Sequence, residues 1–543
     1  MELNAEQRHA VECNDKHILC LAGAGTGKTA SLIARISRLV KENDTRGDHI
    51  LALTFTNAAA AEMTRRFSDA MPLCASKPMF KTFHAFCYHL ILTDSDVRHE
   101  IGYERVPEVC EPDKIDQIIN MLRTKLSIKI SARIIMDKDK ATPTTQWAFD
   151  LFHKAFKQTL IKENLISFDQ MSNWITELFV ADAPCIKKYK SQFKHILVDE
   201  FQDTDPLQWK FVQTFKDANI FIVGDALQSL YSFRNADATI IQNLANDENW
   251  TTIKLFKNYR STSQICSFAN KMSRYADGSY RIEIESAVAG PDVVVESEMP
   301  ITKLQPVSPE MVDDIVSELP KLSGSVAILC RTNREVDTVV HELNARDIVC
   351  TSGSTNKKAL DIFQSGRDNE YFEMKLTSML SAEQYANYVR YTTVNNVNDV
   401  STKIHAIHDN FSTATIREFY SKVIQLRRII NSAQNLFSAS VSMLETLGLP
   451  AFSDFAGQSK DELIDYIYAK IQSDALDQLY VGTIHSSKGL EYDNVLLINV
   501  GGPTFQLNNI DNLNCYYVGI TRARRFLKIY RPAISESFIL YIK

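Results

Sequence analysis

Short apolar runs punctuate the chain at Ile50–Phe55, His195–Val198, Ile220–Val223, Val326–Cys330 and Val495–Val500. Polar turns bound each run, and stretches of helical period separate them. That pattern predicts strands buried on both faces of parallel α/β sheets. The runs fall before residue 256 and after residue 320, so two α/β cores are expected. Two long intervals lack strand character. In the first, Ile115, Ile118, Ile119 and Leu122 fall at i, i+3, i+4 and i+7. In the second, Ile416, Phe419, Tyr420 and Val423 repeat that spacing, the signature of one apolar helix face. Residues 96–190 and 371–471 are therefore expected to be helical insertions. One core is expected over 1–95 and 191–255, the other over 256–370 and 472–543. The Val-, Pro- and Glu-rich segment 283–312 leads into the second core.

Composition narrows the class. The 543 residues suggest three or four domains at roughly 100–200 residues each. With 60 Lys+Arg against 66 Asp+Glu the net charge is −6, and 45% of residues are hydrophobic. A disordered chain and a uniformly basic nucleic-acid binder are excluded, so any nucleic acid must be held by local patches. No apolar stretch reaches the roughly 18 residues of a membrane span, and no membrane partner is expected. Ten cysteines lie scattered with no C-x-x-C pair. Reduced thiols in a cytoplasmic protein are the expectation, with no zinc ribbon or disulfide framework.

The first candidate chemistry sits where an apolar run meets glycines. His17–Leu21 is followed by Ala22-Gly23-Ala24-Gly25-Thr26-Gly27-Lys28-Thr29, and then by an apolar-periodic stretch through Leu32, Ile33 and Ile36. A glycine loop between strand and helix aims backbone N–H groups and the positive helix end at phosphates. Lys28 would supply a point charge to the β/γ-phosphates, and the Thr29 hydroxyl would reach Mg²⁺. Ala22 replaces the usual first glycine, a position that tolerates a small side chain. The second chemistry is His195–Val198 followed by Asp199 and Glu200. Asp199 at the strand's end suits Mg²⁺, and Glu200 is the natural carboxylate to orient and deprotonate water. The acid pair favours hydrolysis over nucleotide sensing.

Further strings complete an ordered series. They are Leu3–Gln7, Leu53–Asn57, Thr82–His84, Val198–Asp205, Val223–Asp225, Gln228–Arg234, Asn258–Ser261, Gly482–Tyr492 and Tyr517–Arg524. With the loop at 22–29, this set resembles a superfamily 1A DNA helicase of the UvrD/Rep/PcrA type, in family order across residues 3–525. The resemblance implies two RecA-like parallel-sheet domains, each with a helical insertion, with ATP and Mg²⁺ as cofactors. It implies that Gln7 reads the adenine edge, Tyr259 stacks on the base, Gln228 senses the γ-phosphate and Glu491 holds the ribose. Arg260 and Arg522 would act as arginine fingers. Phe55, Tyr231 and Phe233 match aromatic positions that meet DNA bases, and Asn57, His84 and His485 match polar positions along the strand. Lys187, Lys188, Lys190 and Lys194 form a basic cluster that suits either a phosphate track or a solvated face.

The implied activity is ATP-driven translocation along single-stranded DNA and unwinding of tailed duplexes, 3′-to-5′, in repair, recombination or phage replication. A second reading is a DNA-sensing ATPase of an antiviral defence complex, partnered with a nuclease subunit. A third, a DNA-binding scaffold with a degenerate ATPase, conflicts with the intact Lys28, Glu200, Gln228, Arg260 and Arg522. Further positions depart from the family pattern. Ala58 stands where lysine is usual, Ala30 where arginine is common, and Asp511-Asn512 where paired glutamates are usual. The second insertion is also short, which makes translocation a firmer expectation than strong unwinding.

Overall fold

The computed structural model describes residues 3–352 and 479–532, apart from breaks of up to six residues. The insertion expected at 371–471, with Ile416, Phe419, Tyr420 and Val423, lies outside the described residues, as do Tyr231 and Phe233. The chain forms two compact units. One comprises Met1–Arg260 with Ala269–Val288, and the other Ser261–Phe268 with Ala289–Lys543. No described helix is long and apolar enough to cross a membrane.

The first unit is built on strands β1 (His17–Ala22), β2 (Ile50–Thr54), β3 (Met79–Thr82), β4 (His195–Val198), β5 (Asn219–Gly224) and β6 (Thr251–Leu255). They form one sheet, ordered β3-β2-β4-β5-β1-β6, with every neighbouring pair parallel. The central strands are buried almost end to end because helices cover both faces, which is why they read as continuous apolar runs. Helix α1 (Ala5–Glu12) precedes the sheet, and α2 (Lys28–Glu42) leaves the loop after β1. Leu32, Ile33, Ile36 and Leu39 turn the apolar face of α2 onto Ile18, Cys20 and Val223. Parallel strands put all their C-terminal ends on one edge, where ligands of open α/β sheets bind.

The interval 95–192 is helical, chiefly Pro112–Lys125, Gln146–Glu163 and Phe168–Val180, with one two-residue strand pair. Ile118, Ile119 and Leu122 are buried as their spacing predicts, and Ile115 is half-buried. Phe179 packs against Phe86, Phe211 and Phe215, fastening this segment to the sheet-bearing part. At its base, the Asp94 carboxylate accepts from Tyr189 Oη at 2.7 Å and pairs with Lys188 Nζ at 2.6 Å. Lys190 pairs with Asp182 at 2.7 Å, so two of the four clustered lysines serve local pairing.

The second unit carries β7 (Val293–Met299), β8 (Val326–Cys330), β9 (Thr351–Ser352), β10 (Leu479–Thr483), β11 (Tyr492–Leu497) and β12 (Ala523–Pro532). Their order is β7-β12-β11-β8-β10-β9, again all parallel. Both cores are thus α/β parallel sheets. Strand β12 was hidden in the sequence by its charges. Its Lys528 is buried nonetheless, with Nζ 2.6 Å from Asp314 and 3.2 Å from Glu318. Partners distant in sequence make that lysine tolerable in a core, and periodicity cannot foresee them.

Candidate nucleotide and nucleic-acid sites

The glycine loop turns as its sequence requires. Gly25 and Gly27 have φ of 70° and 84°, the left-handed region that favours glycine. At Gly25 the fit is also close: a Cβ there would stand 2.7 Å from Asn258 Nδ2 and 2.8 Å from Arg260 Cβ. Asn258 donates through Nδ2 to Ala24 O at 2.7 Å, and Tyr259 N donates to Gly25 O at 2.9 Å. Thr26 Oγ1 closes the loop on Gly23 O at 2.8 Å. The segment 258–260 therefore buttresses the loop from within the first unit.

Lys28 begins α2 beneath this loop. Its Nζ is buried without a hydrogen-bond partner among the described residues and stands 3.7 Å from Glu200. Thr29 Oγ1 donates to Asp199 Oδ2 at 3.4 Å, while Asp199 Oδ1 is buried and accepts nothing. Burial, and then the neighbouring Glu200, push the Asp199 carboxyl up to about 7. A hydroxyl and an orphaned carboxylate oxygen at a strand end are the hard oxygen donors that Mg²⁺ takes, one or two from protein and the rest from phosphates and water. The residues fit that ion.

Two glutamines knit the acids together. Glu200 takes a left-handed backbone, φ 50°. Its Oε2 accepts from Gln202 Nε2 at 2.6 Å, and Gln202 Oε1 accepts from Asp225 N at 3.0 Å. Asp225 in turn holds Gln228, whose Nε2 donates to Asp225 Oδ2 at 2.7 Å. Burial raises the Asp225 carboxyl above its ordinary range. Gln202 and Asp225 lie within the strings Val198–Asp205 and Val223–Asp225. Their importance lies in partners 2 to 23 residues away, which no local pattern announces.

Gln7 sits against the loop. Its Nε2 donates to Thr26 O at 2.9 Å, and its Oε1 accepts from Asn4 N at 3.1 Å in a capping box. A second N–H and a second lone pair on that amide suffice for a base edge. Asn4 Nδ2 donates to Tyr259 Oη at 2.9 Å, and the Tyr259 ring is half exposed. Gln7, Ala22, Gly23, Ala24, Gly25, Thr26, Gly27, Lys28, Thr29, Asp199, Glu200, Gln228, Tyr259 and Arg260 all fall in the first unit. Glu491 and Arg522 belong to the second. There Glu491 is ion-paired with Arg524. The Arg522 guanidinium is buried, donating to Val518 O at 3.0 Å and Leu490 O at 3.1 Å.

The nucleic-acid candidates in the first unit follow the ends of β2 and β3. Phe55 is half-buried just past β2, and Asn57 opens the next helix. Thr82 Oγ1 donates to Asn57 Oδ1 at 3.4 Å, joining the two strand ends. His84 is mostly buried, and burial lowers its pKa against the opposing pull of Asp169 and Asp205. Its ring meets Phe168 edge-on at 5.9 Å, and Phe168 is 54% exposed. Phe168 shares helical spacing with the buried Met171 and Ile175, so no local pattern sets it apart from core positions. His485 is half-buried in the turn after β10.

Family comparison agrees with this geometry. Residues 3–249 match the UvrD/REP helicase N-terminal domain, and residues 478–530 match the UvrD-like helicase C-terminal domain. The chain belongs to the UvrD/Rep helicase family. It is 32% identical over 297 residues to the ATP-dependent DNA helicase PcrA of Staphylococcus epidermidis. It is 31% identical over 293 residues to a probable DNA helicase II homolog of Mycoplasma capricolum. Those alignments cover 50% and 49% of this chain and 40% of each relative, so the chain spans well under half the length of these relatives. A probable DNA helicase II homolog of Mycoplasma pneumoniae is 24% identical over 99% of this chain and 85% of its own length.

Proposed function

We propose that this protein is an ATP-dependent translocase and helicase on single-stranded DNA, moving 3′-to-5′. One observation carries the reading: a buried Lys28 Nζ, ion-paired with Glu200 but without a hydrogen-bond partner among the described residues, and an orphaned Asp199 Oδ1 meet at the glycine loop. A triphosphate with its Mg²⁺ satisfies the Lys28 ammonium and the Asp199 oxygen. The loop N–H groups and Lys28 neutralise the phosphates, and Thr29 and Asp199 hold the metal, which supplies charge neutralisation to the transferred phosphoryl group. Gln202 orients Glu200, which takes the proton from the attacking water. Asp225 aims Gln228 toward the γ-phosphate. Gln7 reads adenine and Tyr259 stacks on it, while Arg260 and Arg522 stabilise the developing charge once each is turned toward it. On the DNA side, Phe55, Phe168 and Phe233 offer stacking faces, and Asn57, His84 and His485 offer polar contacts. We read the two units as the two motor domains, with 96–190 inserted in the first and 371–471 in the second.

The test is Mg²⁺-dependent ATP hydrolysis with and without single-stranded DNA, beside strand displacement on 3′- and 5′-tailed duplexes. Lys28→Ala should abolish turnover, and Glu200→Gln should bind nucleotide without hydrolysing it. Robust turnover by Glu200→Gln refutes the general base, and displacement from 5′-tailed duplexes alone refutes the direction.

A further inference from the structure

Helix α1, which carries Gln7, is only eight residues long, too short to hold its place by its own hydrogen bonds. Its N-terminal end is closed by the Asn4–Gln7 capping box. Its C-terminal end is closed by a residue of another helix. Arg35, on α2, donates through Nη1 to Ala10 O at 2.8 Å, Val11 O at 3.3 Å and Cys13 O at 2.8 Å. The side chain is 3% exposed, and its guanidinium lies 4.8 Å from the centre of the Phe221 ring. No carboxylate pairs with it among the described residues. A buried cation without a counter-ion is costly, so the carbonyls and the negative end of α1 are what make it tolerable there. Burial lowers its pKa to about 10, which leaves it cationic at neutral pH. Arg38, one turn on, adds a second tie, to Val11 O at 2.9 Å.

Arg35 stands seven residues after Lys28 on the same helix. One end of α2 thus carries the phosphate-binding lysine, and the next turns grip the helix whose glutamine faces the base. We propose that Arg35 is a positioning residue for base selectivity, fixing α1 on α2 so that the Gln7 amide is held at a set distance from Lys28 and accepts adenine over guanine. This rests on the reading of Gln7 as the base-reading residue. A pure stabiliser of the fold would affect base and phosphate recognition alike; a positioning residue for the base would not.

The experiment measures steady-state hydrolysis of ATP and GTP, and competitive inhibition by inorganic tripolyphosphate, which has no base. Parent, Arg35→Met, Arg35→Lys and Arg38→Ala are compared as full-length protein. Arg35→Met keeps the packing volume and loses the donors. It should raise the KM for ATP about tenfold and erode the ATP-over-GTP preference by a similar factor, with kcat and tripolyphosphate inhibition changed by less than about twofold. Arg35→Lys should restore part of the preference, and Arg38→Ala should lose a smaller part of it. A parent that uses ATP and GTP alike refutes the base-reading role of Gln7 itself. A selective parent whose Arg35→Met and Arg38→Ala variants stay equally selective overturns the role of Arg35 alone. Tripolyphosphate inhibition weakened as much as ATP binding also overturns it. Should Arg35→Met fail to fold, Arg38→Ala decides, and an unchanged preference there counts against the proposal.

Discussion

At the scale of single residues, the site is a cluster of buried and half-buried charged groups. Asp199, Glu200 and Asp225 surround one lysine, and burial with the Glu200 charge raises the Asp199 pKa from 3.8 to about 7. The sign follows. Between those values the folded protein binds a proton at Asp199 that the unfolded chain has lost, so this group's contribution to stability falls as pH rises through that window. Asp199→Asn should therefore stabilise the nucleotide-free protein by about 1–2 kcal/mol near neutral pH and by less at pH 5, while abolishing Mg²⁺-dependent turnover. Thermal melts at both pH values check it; equal or reversed shifts would contradict the assignment. Gln202 makes a different claim. Its amide bridges Glu200 and Asp225, so Gln202→Ala should lower kcat by up to about 10²-fold through misplacement, with the KM for ATP little changed. A KM effect without a kcat effect would place Gln202 in binding instead.

At the scale of elements, the parallel strands of the first unit deliver the glycine loop, Asp199, Glu200 and Asp225 to one edge, and loops of strict geometry do the rest. The loop after β1 is held by Asn258 and Tyr259, so its shape depends on a segment more than 230 residues away in sequence. Gly25 shows the cost of altering it. Alanine there adds left-handed strain of roughly 1–2 kcal/mol and drives a methyl against Asn258 and Arg260. Gly25→Ala should weaken nucleotide binding by about tenfold or more, measurable by titration with a fluorescent ATP analogue. Gly489, also at positive φ but with open space at its Cβ, is the control: substitution there carries backbone strain without the clash.

At the scale of the whole molecule, the proposed function would tie hydrolysis to a strand of DNA through a chain whose net charge is −6. Local stacking and polar contacts must then carry the affinity, since the overall field is repulsive. Gln228 and Phe233 lie five residues apart on the segment that leaves β5. With Gln228 held by Asp225, a base stacked on Phe233 would be linked to the γ-phosphate through few bonds. Stacking is worth about 1–3 kcal/mol per base, enough to hold a strand through a step without trapping it. Phe233→Ala should keep basal hydrolysis while losing most DNA stimulation and nearly all directed movement, as read by strand displacement. A Phe233→Ala protein that moves like the parent would sever this coupling.

The sequence alone determined the α/β class, the glycine loop with Lys28 and Thr29, the acid pair after β4 and the ordered series of motifs. Each is a contiguous string whose chemistry depends on near neighbours, so it can be read without knowing the fold. It did not disclose β12, whose buried Lys528 needs Asp314 and Glu318 from another helix. Nor did it disclose Gln202 as the bridge between two acids, Phe168 as an exposed ring beside His84, or Arg35 as the clamp on α1. Those roles are fixed by partners that only tertiary packing brings within hydrogen-bonding distance. A charged or aromatic side chain declares its capacity in the sequence, but burial and the choice of partner decide what it does.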